Sequence, residues 1–111
     1  MTPNDLVFPE IAKAIEIIPF DHVDAEILPA LRGAFPMGLP LSDAVERTDH
    51  VVAGEPDVPL RLHRPKDADG ALPCVYSMHG GGYVLGTYLM DDMTFDALCP
   101  RLGFVGVSVE Y

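Results

Sequence analysis

Three consecutive glycines at positions 80–82 follow His79 at the end of a short apolar run, and they are the clearest chemical feature of the sequence. Glycine weakens regular elements because its backbone loses the most freedom on folding, so three in a row indicate that the main chain itself has a task. Without Cβ atoms, the backbone can adopt otherwise forbidden dihedral angles and bring its N–H groups close to a bound group. The stretch YSMHGGGYVLGTY, residues 76–88, is therefore expected to act through its backbone.

Two other interpretations of the glycines are a purely structural loop and a phosphate-binding turn. A dinucleotide-binding fingerprint requires G-x-G-x-x-G, and a P-loop requires G-x-x-x-x-G-K-[ST]. Gly80, Gly82 and Gly86 match the first pattern only incompletely, and no Lys-Ser or Lys-Thr follows them. The spacing therefore disfavours a phosphate site.

The side chains near the loop do not form a recognisable catalytic set. Ser77 and His79 are two residues apart, but no acidic residue lies close in sequence to orient the histidine. A nucleophile elbow requires G-x-S-x-G, whereas the nearest candidate, GVSVE around Ser108, has Glu110 in place of the second glycine. We therefore assign no catalytic serine, acid or histidine within the 111 residues.

The histidines and the acidic cluster give no metal-binding pattern, because neither H-x-H nor H-E-x-x-H occurs. We interpret three histidines as surface or hairpin residues: His22, His50 and His63. Three carboxylates are more typical of a helix N-terminus, which they would cap and solubilise: Asp91, Asp92 and Asp96. We predict neither a metal site nor any cofactor.

The composition predicts a folded protein with few polyanionic partners. Hydrophobic residues make up 49% of the 111 residues, which is enough for a buried core. The net charge is -10 and the seven Lys and Arg residues are scattered, so we expect no nucleic-acid partner. The N-terminus lacks a signal-peptide pattern and no run of eighteen apolar residues occurs, so we expect no membrane association and a cytoplasmic location.

Residues 1–45 are predicted to form a helical cap segment. Six of the eleven prolines fall within the first forty residues, where they separate short helical patterns. One helix is expected to begin at Pro9 and to end before Pro19, and a second to begin near Pro29. Their apolar positions are Ile11, Ala14, Ile15 and Ile18 in the first helix, and Leu31 and Phe35 in the second. Such narrow apolar stripes cannot form a core, so both helices should cover a larger unit.

Residues 46–111 show the pattern of an α/β domain. The segments 46–53 and 58–64 flank the turn sequence GEPD and predict an antiparallel hairpin, and 73–78 predicts a short strand. The Val-rich run 104–110 is typical of a strand that is buried on both faces in a parallel sheet. Cys74 and Cys99 have apolar neighbours and are predicted to be buried, reduced thiols.

A helix is predicted between the glycine loop and the last strand. Asp91 or Asp92 would cap its N-terminus, and Gly103 would end it. Its apolar residues recur at helical spacing: Phe95, Leu98, Cys99 and Leu102. Pro100 removes one backbone hydrogen bond, so we expect a kink or an early stop there.

The predicted domain is expected to be incomplete. A buried parallel strand needs neighbouring strands and covering helices, and nothing after Tyr111 supplies them. Such a strand would otherwise expose unpaired N–H and C=O groups along one edge. We therefore expect residues 46–111 to be the start of a larger α/β core domain, whose remainder would be a partner of this chain.

HGGGY at residues 79–83, the following helix and a buried strand ending in VEY at 109–111 together resemble the hormone-sensitive-lipase family of α/β-hydrolase esterases. The resemblance covers the whole chain but only about the first third of the family's domain. It implies the N-terminal part of an α/β-hydrolase fold, with cap helices, a β-hairpin and the first parallel strands of the central sheet.

The resemblance also implies a function, namely the hydrolysis of carboxylic esters with short to medium acyl chains by a serine carboxylesterase or lipase. Attack on an ester carbonyl places negative charge on its oxygen, which preorganised N–H groups stabilise. By resemblance, Gly81 and Gly82 provide these donors in the oxyanion hole, His79 and Gly80 support the loop, and Tyr83 lines the substrate cleft. The Ser, the acid and the His of the triad are expected after Tyr111.

A non-catalytic ligand-binding receptor built on the same fold, as in the gibberellin receptor, is the alternative function. The complete HGGG motif favours catalysis. The sequence leaves open the identity of the small-molecule ester and the oligomeric state.

Overall fold

A computed structural model describes residues 8–16, 23–34 and 40–111 of the chain. Its elements, in chain order, are α1 (Pro9–Glu16), α2 (Leu28–Ala34), β1 (Val45–Val52), β2 (Val58–Pro65), β3 (Cys74–Met78), a 3₁₀ helix (Tyr88–Asp91), α3 (Asp92–Leu102) and β4 (Val105–Val109). Among the helices of these residues, none has the length and apolar character that a bilayer crossing requires.

The two N-terminal helices begin at or next to the prolines from which they were predicted. Pro9 is the first residue of α1, and Pro29 is the second residue of α2, where a missing N–H costs no helical hydrogen bond. The Asp24 carboxylate accepts hydrogen bonds from the N–H groups of Glu26 and Ile27, at 2.9 Å each, and so orders the turn that leads into α2. Leu31 is the buried residue of this helix. The predicted contributions of Ile18 and Phe35 fall outside the described residues.

Four strands form one mixed sheet in the order β1-β2-β4-β3. The pairing of β1 with β2 is antiparallel throughout, from Val45 opposite Pro65 to Val52 opposite Val58, which confirms the predicted hairpin. The last strand, β4, is antiparallel to β2 and parallel to β3. This combination of one hairpin with a parallel strand–helix–strand unit confirms the predicted α/β class.

The open edges of the sheet belong to β1 and β3 and not, as the sequence pattern suggested, to β4. Both edges of β4 are paired, and its residues from Gly106 to Val109 are buried, which confirms a strand covered on both faces. Among the described strands, β1 and β3 each have only one neighbour, and Val75, Tyr76 and Met78 of β3 are exposed. The prediction was wrong because the chain returns through α3 into the gap between β2 and β3, where its most apolar run is covered.

The packing of α3 on the sheet forms the core. Phe95 and Cys99 of α3 pack with Val45 and Phe104 in one buried cluster. Gly106 of β4 lies directly beneath the Phe95 ring, where an added Cβ would be 2.5 Å from the ring carbon Cγ. The close approach of helix and strand therefore requires glycine at this position.

The ends of α3 agree only partly with the sequence pattern. Gly103 ends the helix in a left-handed conformation, with φ of 70° and its N–H donating to the Cys99 carbonyl at 3.0 Å, as predicted. The helix does not stop early. Pro100 lies in its last turn, where the missing N–H removes only one backbone hydrogen bond. At the other end, Asp91 occupies the N-cap position, but its side chain makes no capping hydrogen bond.

The two cysteines are free thiols in different environments. Cys99 is fully buried, as predicted, and burial raises the pKa of its thiol. Cys74 is exposed on β3, so the prediction of a buried thiol was wrong there. Cys74 and its apolar neighbours belong to an edge strand, which explains the difference.

Candidate functional site

The glycine loop begins where β3 ends and folds into a tight turn with left-handed backbone. The φ angles of Gly81, Gly82 and Tyr83 are 136°, 62° and 64°. The N–H groups of Val84 and Leu85 both donate to the Gly81 carbonyl, at 3.2 and 3.0 Å. Three successive residues with positive φ are rare outside functional loops, because only glycine adopts them without strain.

Steric contacts explain which glycines the turn requires. A Cβ on Gly81 would lie 1.8 Å from the Leu85 carbonyl oxygen. One on Gly86, whose φ is 92°, would lie 2.4 Å from the Gly80 carbonyl oxygen and 2.5 Å from His79 Nδ1. Gly86 is thus as tightly constrained as Gly81, although the sequence offered only its place in an incomplete phosphate fingerprint. A Cβ on Gly82 would meet no atom within 4 Å.

The main-chain N–H groups of Gly81 and Gly82 belong to the exposed part of the turn. Both residues are exposed, and none of the hydrogen bonds that join the described residues uses either N–H group. Adjacent unpaired N–H groups in a left-handed turn form a concave site for a negatively charged oxygen.

His79 is buried and joins the loop to the end of β4. Its Nδ1 lies 2.9 Å from the Gly80 carbonyl oxygen; since a carbonyl only accepts, Nδ1 carries the proton. The Tyr111 ring stacks on the imidazole with 4.5 Å between centroids, and the Tyr111 hydroxyl donates to the His79 carbonyl. No hydrogen bond joins Ser77 to His79 in the described part of the chain, so the structure does not bring them together as a pair.

Tyr83 is the non-glycine member of the left-handed turn. Its side chain is 89% exposed, and its ring approaches Tyr111 edge-on with 5.7 Å between centroids. A left-handed tyrosine with so little burial is strained, and such strain is typical of functional loops.

A cleft of about 360 Å³ adjoins the loop. Its lining residues are Arg32, His79, Tyr83, Val84, Leu85, Gly86, Thr87, Glu110 and Tyr111. Gly81 and Gly82 lie in sequence between the lining residues His79 and Tyr83, but they are not lining residues themselves. Arg32 of α2 donates from Nε to the Val84 carbonyl at 2.9 Å, so a helix of the N-terminal segment contacts the loop directly. Nothing in the sequence pattern singled out this arginine.

A charged network lies where the loop leads into α3, and it includes His63 of the hairpin. This histidine is fully buried, and its Nε2 lies 2.8 Å from Asp92 Oδ1. Arg61 donates to Asp92 at 2.8 Å and to both Asp49 oxygens, at 2.7 and 2.9 Å. The hydrogen bond from Arg61 lowers the pKa of Asp49, and it raises the pKa of Arg61 itself above its ordinary value. His63 is therefore a hairpin residue, but not a surface one.

The acidic residues of α3 tie the helix to the hairpin. Asp92 binds Arg61 and His63 of β2, while Asp96 accepts hydrogen bonds from Ser42 and forms an ion pair with Arg47. Burial alone would raise the pKa of Asp96, but the bonds from Ser42 and Arg47 outweigh it, and the pKa is lowered. Asp92 and Asp96 therefore make specific contacts with the hairpin side of the fold, in addition to the predicted solubilising role at a helix N-terminus. The sequence could not show these contacts, because the partners are 29 to 54 residues away. No group of three or more potential metal ligands comes together within residues 8–16, 23–34 and 40–111.

Comparison with known proteins identifies esterases. Versiconal hemiacetal acetate esterase of Dothistroma septosporum is 30% identical over 76 residues, which cover 68% of this chain and 22% of that protein. The structure of a bacterial heroin esterase is 30% identical with a TM-score of 0.68, over 99% of this chain and 37% of that one. An esterase of Pyrobaculum calidifontis is 31% identical with a TM-score of 0.54, over 77% of this chain and 25% of that one. No family model matches the chain.

The fold and these relatives place the chain among the α/β-hydrolase esterases of the hormone-sensitive-lipase type, which confirms the family predicted from the sequence. It matches the N-terminal part of their domain and spans between 22% and 37% of the length of the three relatives.

Proposed function

We propose that the chain supplies the oxyanion-hole loop of a serine carboxylic ester hydrolase, with the N–H groups of Gly81 and Gly82 as donors. One observation carries the proposal: two adjacent, exposed N–H groups without partners among the described residues lie in a sterically fixed turn. The similarity to esterases supports ester hydrolysis as the reaction.

In the proposed mechanism, the loop acts when a serine hydroxyl attacks the ester carbonyl. The triad histidine takes the serine proton as the bond between the serine oxygen and the carbonyl carbon forms and the carbonyl π electrons move to oxygen. The N–H groups of Gly81 and Gly82 donate to that oxyanion. The alkoxide then leaves with a proton from the triad histidine, and water hydrolyses the acyl-enzyme. We place the serine, the acid and the catalytic histidine after Tyr111, as expected from the sequence.

His79 and Gly80 have supporting roles in this proposal. With Nδ1 bonded to the Gly80 carbonyl and its ring buried under Tyr111, His79 orients the peptide that precedes Gly81. Its remaining nitrogen, Nε2, is buried, so His79 is unsuited to act as the base. Tyr83, which is exposed at the mouth of the cleft, would contact the substrate.

We further propose the division expected from the sequence, with residues 1–45 as a cap segment and 46–111 as the start of the core domain. The contact of Arg32 with Val84 supports a cap that reaches the site, because it joins α2 to the glycine loop. The substrates would be small carboxylic esters with short to medium acyl chains.

Turnover of p-nitrophenyl acetate and butyrate tests the proposal in two proteins, the full-length hydrolase and the 111-residue chain. We expect turnover that a serine-directed phosphonate abolishes in the first, and none in the second. Activity of the short chain would contradict a nucleophile beyond Tyr111. A full-length protein that binds esters without turnover or phosphonate labelling would instead favour the receptor.

Two substitutions in the full-length protein then test the role of the main chain. Gly82→Pro removes one donor, and loss of one oxyanion donor lowers kcat about 10²- to 10³-fold, or about 2.7–4 kcal/mol. Gly82→Ala is the matched control, since it keeps the N–H and its Cβ meets no atom within 4 Å. Ser77→Ala should leave kcat nearly unchanged. If folded Gly82→Pro enzyme kept its kcat, or if Ser77→Ala lost it, the loop would not be the oxyanion hole.

A further inference from the structure

Both ends of the glycine loop converge on one carboxylate at the end of β4. Glu110 Oε2 accepts hydrogen bonds from the Thr87 hydroxyl, at 2.9 Å, and from the Tyr88 N–H, at 3.1 Å. Its other oxygen, Oε1, lies 3.8 Å from His79 Nε2. His79 precedes the three glycines and Thr87 follows Gly86, so this carboxylate contacts the residues on either side of the turn.

The position of Glu110 is itself fixed by the centre of the sheet. Its N–H donates to the Pro59 carbonyl at 2.9 Å, which continues the pairing of β4 with β2. The next residue, Tyr111, stacks on His79 and donates to its carbonyl. Glu110 therefore directly follows a strand that is paired on both sides, whereas the loop has few backbone hydrogen bonds of its own.

The hydrogen bonds at Oε2 order the exit of the loop. Charged acceptors form stronger hydrogen bonds than neutral ones, so the pair from Thr87 and Tyr88 holds this segment more firmly than a water contact would. Thr87 Oγ also accepts from the Leu89 N–H at 3.4 Å and so caps the 3₁₀ helix. From there the chain enters α3, whose Asp92 is bound by Arg61 and His63.

We propose that Glu110 is a positioning residue for the oxyanion hole, acting on Gly81 and Gly82 by fixing the exit of the loop through Thr87 and Tyr88. This inference rests on the proposed esterase function. Catalytic geometry is sensitive to such supports, since a displacement of about 1 Å can lower turnover about 10²-fold. In this account, Glu110 acts through the loop and takes no part in the bonds that form and break.

Three variants of the full-length protein separate the hydrogen bonds from the charge. Glu110→Ala removes both acceptor contacts. Glu110→Gln removes the charge but keeps an acceptor, and because Thr87 and Tyr88 both use one oxygen, a single amide oxygen can accept from both. Thr87→Val keeps the side-chain shape and removes one donor. Asp67→Ala, which changes an exposed carboxylate after β2, is the matched control.

The kinetic readout is the separate effect on kcat and KM with p-nitrophenyl butyrate. Glu110→Ala should lower kcat about 10²-fold with KM changed by less than about threefold, because the loop acts in the transition state. Glu110→Gln should recover most of the kcat, and Thr87→Val should lie between the two. A trifluoromethyl ketone, which forms an oxyanion with the serine, should bind more weakly to Glu110→Ala by the same factor. A ketone that forms no such adduct should bind equally to all variants.

Unchanged kcat in Glu110→Ala, in a wild-type protein that hydrolyses the ester, would overturn the inference and leave the proposed function intact. Glu110→Gln as inactive as Glu110→Ala would also overturn it, because the charge and not the hydrogen bonds would then be required. Equal losses in binding of the two ketones would point to general unfolding of the cleft, again against positioning.

If the wild-type protein hydrolyses no ester, the proposed function fails, and hydrogen exchange then decides the inference alone. The Tyr88 N–H, bound to Glu110, and the Val84 and Leu85 N–H groups, bound to Gly81, report on the loop. Faster exchange at all three in Glu110→Ala, restored in Glu110→Gln, supports positioning. Exchange equal to wild type at Val84 and Leu85 overturns it.

Discussion

Replacement of Gly81 by alanine should abolish turnover, while the same change at Gly82 should be tolerated. An alanine Cβ at position 81 would lie 1.8 Å from the Leu85 carbonyl oxygen, which is main chain and cannot rotate away. Reaching the 3.0 Å that real contacts require means moving the turn by about 1.2 Å. Because a displacement of about 1 Å can cost about 10²-fold in rate, Gly81→Ala should lower kcat by at least that factor.

Gly82→Ala should introduce backbone strain but no steric clash. Its Cβ meets no atom within 4 Å, and its φ of 62° lies in the left-handed region, where a non-glycine residue costs about 1–2 kcal/mol. The strain should lower the free energy of unfolding by that amount and leave kcat within a few-fold of wild type, since the N–H group is retained.

The assay is steady-state hydrolysis of p-nitrophenyl butyrate by the full-length protein, with thermal unfolding of each variant as the control for folding. The two alanine variants carry the same chemical change one residue apart, so their ratio of kcat removes nonspecific effects. If Gly81→Ala were as active as Gly82→Ala, the steric account of the turn would be refuted.

Three further outcomes follow from the packing. Gly106→Ala should lower the free energy of unfolding by about 1–3 kcal/mol, because its Cβ would lie 2.5 Å from the Phe95 ring. The double mutant Gly106→Ala/Phe95→Leu should lose less free energy of unfolding than the sum of the two single losses, because leucine relieves the clash. Strict additivity of the two losses would argue against the contact. Because the folded-state pKa of Asp96 is lowered, its stabilising effect is full above the ordinary carboxyl pKa and is lost as pH falls through the folded one. Asp96→Asn should thus cost about 1–3 kcal/mol at neutral pH and progressively less below about pH 4, whereas Asp67→Asn should show no such trend in urea unfolding. Tyr83→Gly should have a free energy of unfolding about 1 kcal/mol higher than Tyr83→Ala, because glycine adopts the positive φ of this position without strain. Tyr83→Gly should also raise KM if the ring contacts substrate. A glycine variant less stable than the alanine variant would rule out backbone strain at this position.

Local signals in the sequence were sufficient for most of the elements. The hairpin around GEPD, the strand before the glycines and the αL glycine at the end of α3 all rest on turn chemistry and periodicity within a few residues. The early stop predicted at Pro100 was wrong, because the effect of a proline depends on its position relative to the end of the helix.

Contacts between distant segments were beyond the reach of the sequence. The burial of His63 follows from Asp92 and Phe95, both some thirty residues away, and the exposure of Cys74 follows from the position of β3 in the sheet. The convergence of Thr87, Tyr88 and His79 on Glu110 likewise requires the return of the chain along β4.

The sequence by itself determined the chemistry proposed for the candidate site, because that chemistry relies on the backbone freedom of the glycines in HGGGY, which is a property of the residue types alone. The tertiary structure decided which glycines are indispensable and what holds them in place. The hydrogen bonds from Thr87 and Tyr88 to Glu110 arise only when β4 brings residues more than twenty positions apart into contact. The steric exclusion at Gly81 and Gly86 arises from residues of the same loop once the turn has folded. Through-space contacts of this kind leave no periodicity in one sequence, so they become visible only in the folded chain.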